Sequence, residues 1–171
     1  MVQPILHLSL AKIQENKSMR KTILTLAALL FILSAADVQA KSEGVVIKKS
    51  AYSVSETIDR LVAIFKEKGI TVFARVNHAA GAEKIDKKLA PAELVIFGNP
   101  KIGTPLMQSN IISGIDLPLK AMAYQNASGT VELVYSHPGF LARRHDIKDR
   151  DALVKQMSKI LTNLTDAATK K

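Results

Sequence analysis

The chain has 171 residues, with 24 Lys+Arg against 15 Asp+Glu for a net charge of +9. At 47% hydrophobic and 23% charged residues it has the balance of a folded globule, which excludes a disordered tail. The absence of cysteine rules out disulfide staples, thiolate metal sites and a cysteine nucleophile, and the absence of Trp removes the best platform for stacking nucleic-acid bases.

Arg20 and Lys21 precede an apolar run from Thr22 to Ala36, which is shorter than the roughly 20 residues that cross a bilayer core. Val38 and Ala40 then supply the small residues that signal peptidase accepts, so residues 19–40 read as a signal peptide cleaved after Ala40. The alternative for this run is an uncleaved anchor. Met19 stands directly before the basic pair, which makes residues 1–18 a candidate extension, untranslated in the cell or disordered. Removing residues 1–40 takes away four basic and two acidic residues, leaving 131 residues with 20 Lys+Arg against 13 Asp+Glu, a charge of +7. That length suits one core in one domain, residues 41–171. The expected product is periplasmic or secreted, with no stable membrane insertion after cleavage.

In the mature chain, Val45 to Lys48 is a short β-branched strand. Ser53 followed by Glu56 is a capping box, and Val54, Ile58, Leu61, Val62 and Phe65 recur on one face of the helix it opens. Gly69 supplies the stop. Ile70 to Asn77 alternates as a half-buried strand, with Ile70, Val72, Ala74 and Val76 on one side. His78 to Leu89 carries no clear pattern. Glu93 to Phe97 is a continuous apolar strand ended by Gly98-Asn99-Pro100. Thr104 before Pro105 predicts a helix from Leu106 to Ser113, closed by Gly114. Leu119 to Gln125 and Thr130 to Tyr135 are strands joined by the hairpin signal Asn126-Ala127-Ser128-Gly129. Asp149 caps a last helix with a stripe of Leu153, Met157, Ile160, Leu161 and Leu164, and order is expected to dissolve from Ala167 onward.

Strands outnumber helices and two form a hairpin, which argues for an α+β fold with two long helices on one face of a mainly antiparallel sheet. The edges of such a sheet need cover, and a second copy supplies it, so a homodimer is expected.

Phe97-Gly98-Asn99-Pro100-Lys101, Gly103-Thr104-Pro105-Leu106-Met107 and Gly114-Ile115-Asp116-Leu117-Pro118-Leu119-Lys120 resemble the signature stretches of the domain of unknown function 302 family. With the capped helix, Asn77-His78 and the Val131 to Tyr135 strand, the likeness runs from about Val45 to Leu164. The resemblance implies a β-α-β4-α arrangement similar to the TATA-box-binding-protein-like fold, in an exported bacterial member of a family with homodimers among its relatives. It implies no activity and no catalytic residue. The likeness to a DNA-binding fold is analogy alone.

The turn from Asn99 to Met107 is the candidate ligand site. Free amides of Leu106 and Met107 at a helix start, the Thr104 hydroxyl and the Lys101 ammonium would suit a small anion. In the plainer reading, which is preferred, Gly98 and Gly103 serve tight backbone geometry, Thr104 caps its own helix and Lys101 is solvated. His78 and His137 sit at strand ends that could meet across the sheet as a polar floor, although ordinary strand-end hydrogen bonds are preferred here too. His78, His137 and His145 lack metal-motif spacing, so no metal and no cofactor is expected. Arg143-Arg144-His145 with Lys148 and Arg150 reads as a solvated helix entry balanced by Asp146, Asp149 and Asp151, and no nucleic-acid partner is expected. Ser53, Ser109, Ser113 and Ser136 show no nucleophile pattern.

The reading is therefore a periplasmic binding or interaction module taking a small anionic ligand at Asn99, Lys101, Thr104, Leu106 and Met107, bordered by His78 and His137. The alternatives are an enzyme with His78 or His137 as base and Lys101 as anion stabiliser, and a purely structural dimer.

Overall fold

The computed structural model of the chain describes residues 44–171, so the expected signal peptide at 19–40 and the extension at 1–18 lie outside the described residues. β1 (Val45–Lys49) leads to α1 (Val54–Glu67), and the Ser53 hydroxyl accepts from the Glu56 amide at 3.2 Å, as the capping box requires. Gly69, with φ of +66°, ends that helix in the left-handed region. Next come β2 (Thr71–Asn77), the short α2 (His78–Glu83) capped by Asn77, and β3 (Ala92–Gly98). After α3 (Pro100–Ser109) and a 3-10 turn (Ile111–Asp116), β4 (Leu119–Gln125) and β5 (Val131–Ser136) form the hairpin. The chain closes with α4 (Pro138–Arg144) and α5 (Asp151–Thr169).

The fold is α+β, as the sequence predicts. The strands form a five-stranded sheet in the order β1-β5-β4-β3-β2, and every neighbouring pair is antiparallel. α1 and α5 cover one face. Ile58, Leu61 and Phe65 of α1 meet Val95, Phe97, Ala123 and Leu133 of the sheet, and Leu161, Leu164 and Ala168 of α5 complete the core. Phe65 stacks on Phe97 with ring centroids 4.2 Å apart. A second cluster, Leu106, Leu141, Ala142, Ile147 and Met157, ties α3 and α4 to α5.

Four local expectations need correction. β2 does not alternate throughout, because a bulge between Val72 and Ala74 inserts Phe73; Val72 stays on the helix side while Ala74 and Val76 turn to the other face. The helix expected from Leu106 begins six residues earlier, with Asn99 as its cap and Pro105 inside it. The N-cap of α5 is Arg150, with no side-chain bond; Asp149 instead accepts from the Ser109 hydroxyl, which holds its carboxyl below the ordinary carboxylate range. The tail does not dissolve at Ala167. α5 runs to Thr169 because Ala168 and Thr169 are buried and the final carbonyls are held by Ala51 N–H, at 2.9 Å from Thr169 O, and by Arg60 Nε, at 3.2 Å from Ala168 O.

Candidate functional site

The sheet end formed by the start of β4 and the end of β3 opens into a cleft of two adjoining lobes, about 310 and 410 Å³ in volume. Gly98, Asn99, Ile102, Leu119 and Met157 line both lobes. The first lobe continues over Gly103, Thr104 and Met107 of α3 to Gly114 and Pro118, with the exposed Phe73 of the β2 bulge at its margin. The second runs between the end of α1 and the middle of α5, past Ile70, Ile160 and Leu161, and carries Lys68 and Asn163. The walls are overwhelmingly apolar. Volumes of this size fall in the range of small-molecule sites.

Two glycines shape the first lobe. A Cβ on Gly114 would come within 2.9 Å of the Met107 terminal methyl, so this residue lets the 3-10 turn lie against α3. Gly103 faces Leu117, 3.6 Å from where a Cβ would stand, and a larger side chain there would project along that wall.

The expected anion cradle does not form as drawn. Leu106 and Met107 lie within α3 and not at its start, so their amides are interior helix donors. The amides that do open the helix are taken: Lys101 N–H donates to Asn99 Oδ1 at 2.9 Å, and Ile102 and Gly103 N–H donate to the Asn99 carbonyl at 2.9 and 3.0 Å. Leu106 is fully buried in the second core cluster. Thr104 caps nothing; it is exposed within α3 and borders the cleft. Lys101 is exposed and stands outside the lining, whereas Asn99 and Met107 belong to it.

The two strand-end histidines do not meet. β2 pairs Asn77 with Glu93 at the far end of the sheet, so His78 leaves from the end opposite to Gly98 and Asn99. His137 leaves β5 at the same end as Asn99, two strands away, and its Nδ1 accepts from the Gly139 amide at 3.0 Å as the cap of α4. The third histidine, His145, is buried, with Nε2 2.6 Å from Asp116 Oδ2, and Arg144 reaches the other oxygen of that carboxylate at 3.1 Å. Lys148 pairs with Asp146 and Arg150 with Asp149, so much of the basic cluster is balanced by acids.

Met157, Ile160 and Phe73 also line the cleft, although the sequence places the first two in a helix stripe and the third in a strand, because no local pattern distinguishes an apolar side chain facing a cleft from one facing a core.

The all-antiparallel sheet under two helices, with an apolar cleft at one end, defines a small α+β domain. The family model described as "Domain of unknown function DUF302" matches residues 46–164, and the chain belongs to that family. The crystal structure of an uncharacterized conserved DUF302 protein from Bacillus stearothermophilus is similar with a TM-score of 0.67 at 20% identity, covering 74% of this chain and 99% of the other, and supports the fold. Among curated proteins, the chain is 45% identical over 115 residues to "Fluoride-specific ion channel FluC 1" of Brucella suis biovar 1, covering 67% of this chain and 45% of that protein. It is likewise 45% identical over 115 residues to "Fluoride-specific ion channel FluC 2" of Brucella melitensis biotype 1, covering 43% of that protein. The chain thus spans less than half the length of the curated relatives it matches.

Proposed function

We propose that this domain is a binding module, acting outside the cytoplasm, that holds a small apolar molecule with one anionic end in the two-lobed cleft. The observation that carries this reading is the lining itself. Its apolar walls offer dispersion contacts and water exclusion to a hydrocarbon body, and Lys68 stands at the margin of the second lobe to meet a carboxylate or sulfonate. The small anionic ligand expected from the sequence is thereby kept, with its charge moved from the α3 start to Lys68 and its body in the cleft. Lys68 lies 2.8 Å from Glu67 in an exposed pair, and its hydrogen bond, then its charge, hold the Glu67 carboxyl below the ordinary range. A bound anion would compete with Glu67 for that ammonium.

The Brucella relatives fit an accessory role. Those polypeptides are named as ion channels, and no helix among the described residues here is long and apolar enough to cross a membrane. The shared stretch then reads as a ligand-binding portion of the longer proteins.

The test uses anilinonaphthalenesulfonate as a fluorescent probe, with decanoate and decanol as competitors. Saturable one-to-one binding is expected, with displacement by decanoate. Gly103→Phe should abolish it without unfolding the chain, because the ring would enter the first lobe and a helical glycine is removed. Lys68→Ala should weaken decanoate about tenfold, the loss of one exposed charge contact, and leave decanol unchanged. Non-saturable binding, or binding indifferent to Gly103→Phe, would sink the proposal. N-terminal sequencing of protein recovered from the periplasm should begin at Lys41; an intact leader on soluble cytoplasmic protein would overturn the export component.

A further inference from the structure

The 3-10 turn (Ile111–Asp116) on the rim of the first lobe has its polarity inside out. At three residues per turn, Asn110, Ser113 and Asp116 share one face, and that face points inward. Asn110 Nδ2 donates to the His145 carbonyl at 2.8 Å, Asp116 holds His145 and Arg144, and Ser113 Oγ is buried without a hydrogen-bond partner. The outward faces carry Ile111, Ile112 and Ile115, which are 70%, 67% and 71% exposed. Phe73 of the β2 bulge, at the margin of the same lobe, is 56% exposed. A surface that stays in water turns its polar side chains out and its isoleucines in, so a turn that buries a serine hydroxyl and exposes three isoleucines calls for an apolar contact.

We infer that this turn and Phe73 dock the domain on the surface of a bilayer that carries anionic lipids, an inference that goes beyond the cleft and needs no ligand in it. The turn lies in the interface and does not cross it, because six residues of 3-10 helix span about 12 Å, well short of a hydrocarbon core. Two cations flank the mouth of the lobe. Lys101 follows Pro100 of the lining, and Lys120 Nζ lies 3.2 Å from the carbonyl of Pro118, which also lines it. Among the described residues neither lysine forms an ion pair, so both are free to meet lipid phosphates while the apolar side chains enter the headgroup boundary. The make-up of the patch separates a bilayer from a protein partner. Protein interfaces centre on Trp, Tyr and Arg anchors and are poor in Lys, whereas here aliphatic side chains stand beside flexible lysines. The net charge of +9 adds a long-range attraction toward an anionic surface. Docked this way, the first lobe opens toward the lipid, and a membrane-dissolved amphiphile reaches the cleft without crossing water; that last step alone rests on the cleft reading.

Because the chain has no tryptophan, Ile112→Trp places a lone fluorescent reporter on the turn, and it reads the turn itself whatever other part of the chain touches lipid. Its emission should shift to shorter wavelength on vesicles of equimolar phosphatidylcholine and phosphatidylglycerol. In that background, Ile111→Ser with Ile115→Ser should weaken the partitioning about 100-fold, the loss of two isoleucine side chains withdrawn from water. Lys101→Ala with Lys120→Ala should weaken it about 30-fold on these vesicles and leave binding to pure phosphatidylcholine unchanged. Gly103→Phe, which fills the first lobe, should leave the emission shift in place, so docking and cleft binding fail separately. Circular dichroism melts report that each variant is folded. An emission unmoved by the vesicles, or a shift that survives Ile111→Ser with Ile115→Ser, would overturn the inference. Emission that depends on protein concentration in the absence of lipid would assign the turn to a second copy and overturn it as well.

Discussion

Lys48 of the edge strand β1 and Asp166 of α5 form an ion pair at 2.6 Å, with the Lys48 Nζ also donating to the Thr162 carbonyl at 2.9 Å. β1 pairs with β5 alone, so this contact fastens the edge of the sheet to the helix that covers it.

The pair carries a pH dependence with a defined sign. Lys48 first, and Lys170 second, hold the Asp166 carboxyl below its ordinary value of 3.8. A lowered folded-state value contributes stability that is present above pH 3.8 and is lost as pH falls from there through the lower folded-state value. Because the carboxylate is about one-third exposed, solvent screening limits the contribution, and Lys48→Met should cost about 1 kcal/mol near neutrality. Urea denaturation at a series of pH values checks this: the gap between wild type and variant should close below pH 3.8. A gap that persists at pH 2, as lost packing would leave it, would show that the charge pair is not its source.

Tyr124 provides the complementary case at high pH. Its hydrogen bond to Glu132, followed by burial and the nearby carboxylate charge, pushes its hydroxyl up from 10.0 to about 12. A raised folded-state value gives stability that is complete below pH 10.0 and is lost as pH rises toward about 12. Ultraviolet titration should show a tyrosine ionising near pH 12 that Glu132→Gln moves back toward 10. An unchanged titration curve in Glu132→Gln would remove the carboxylate as the cause.

Two glycines with positive φ should respond differently to alanine. Gly69, with φ of +66°, has nothing within 4 Å of a Cβ, so Gly69→Ala should cost only the backbone strain, about 1 kcal/mol. Gly44, with φ of +88°, abuts the Phe140 ring, and a Cβ there would overlap it. Gly44→Ala adds overpacking to strain, for a cost of about 2 to 4 kcal/mol. Thermal melts of the two variants rank them. Equal losses would mean that Phe140 moves aside freely.

Much of the architecture was legible in the chain because it rests on local chemistry. The Ser53 cap, the Gly69 stop, the stripe of Ile58, Leu61 and Phe65, and the Asn126 to Gly129 hairpin are written in neighbouring residues, and the structure follows them. The leader expected at 19–40 is also a local pattern, and it lies outside the described residues. What sequence could not settle are choices made by competition between distant groups. Thr104-Pro105 is a sound helix start in isolation, yet Asn99 captures that role because its oxygens take the opening amides while Leu106 is drawn into a core built from α4 and α5. His78 and His137 stand at similar strand ends in the sequence, and strand order alone places them at opposite ends of the sheet. The cleft exists only after folding, since an apolar side chain has the same chemistry whether it faces a core or a pocket, and only the arrangement of its neighbours distinguishes them.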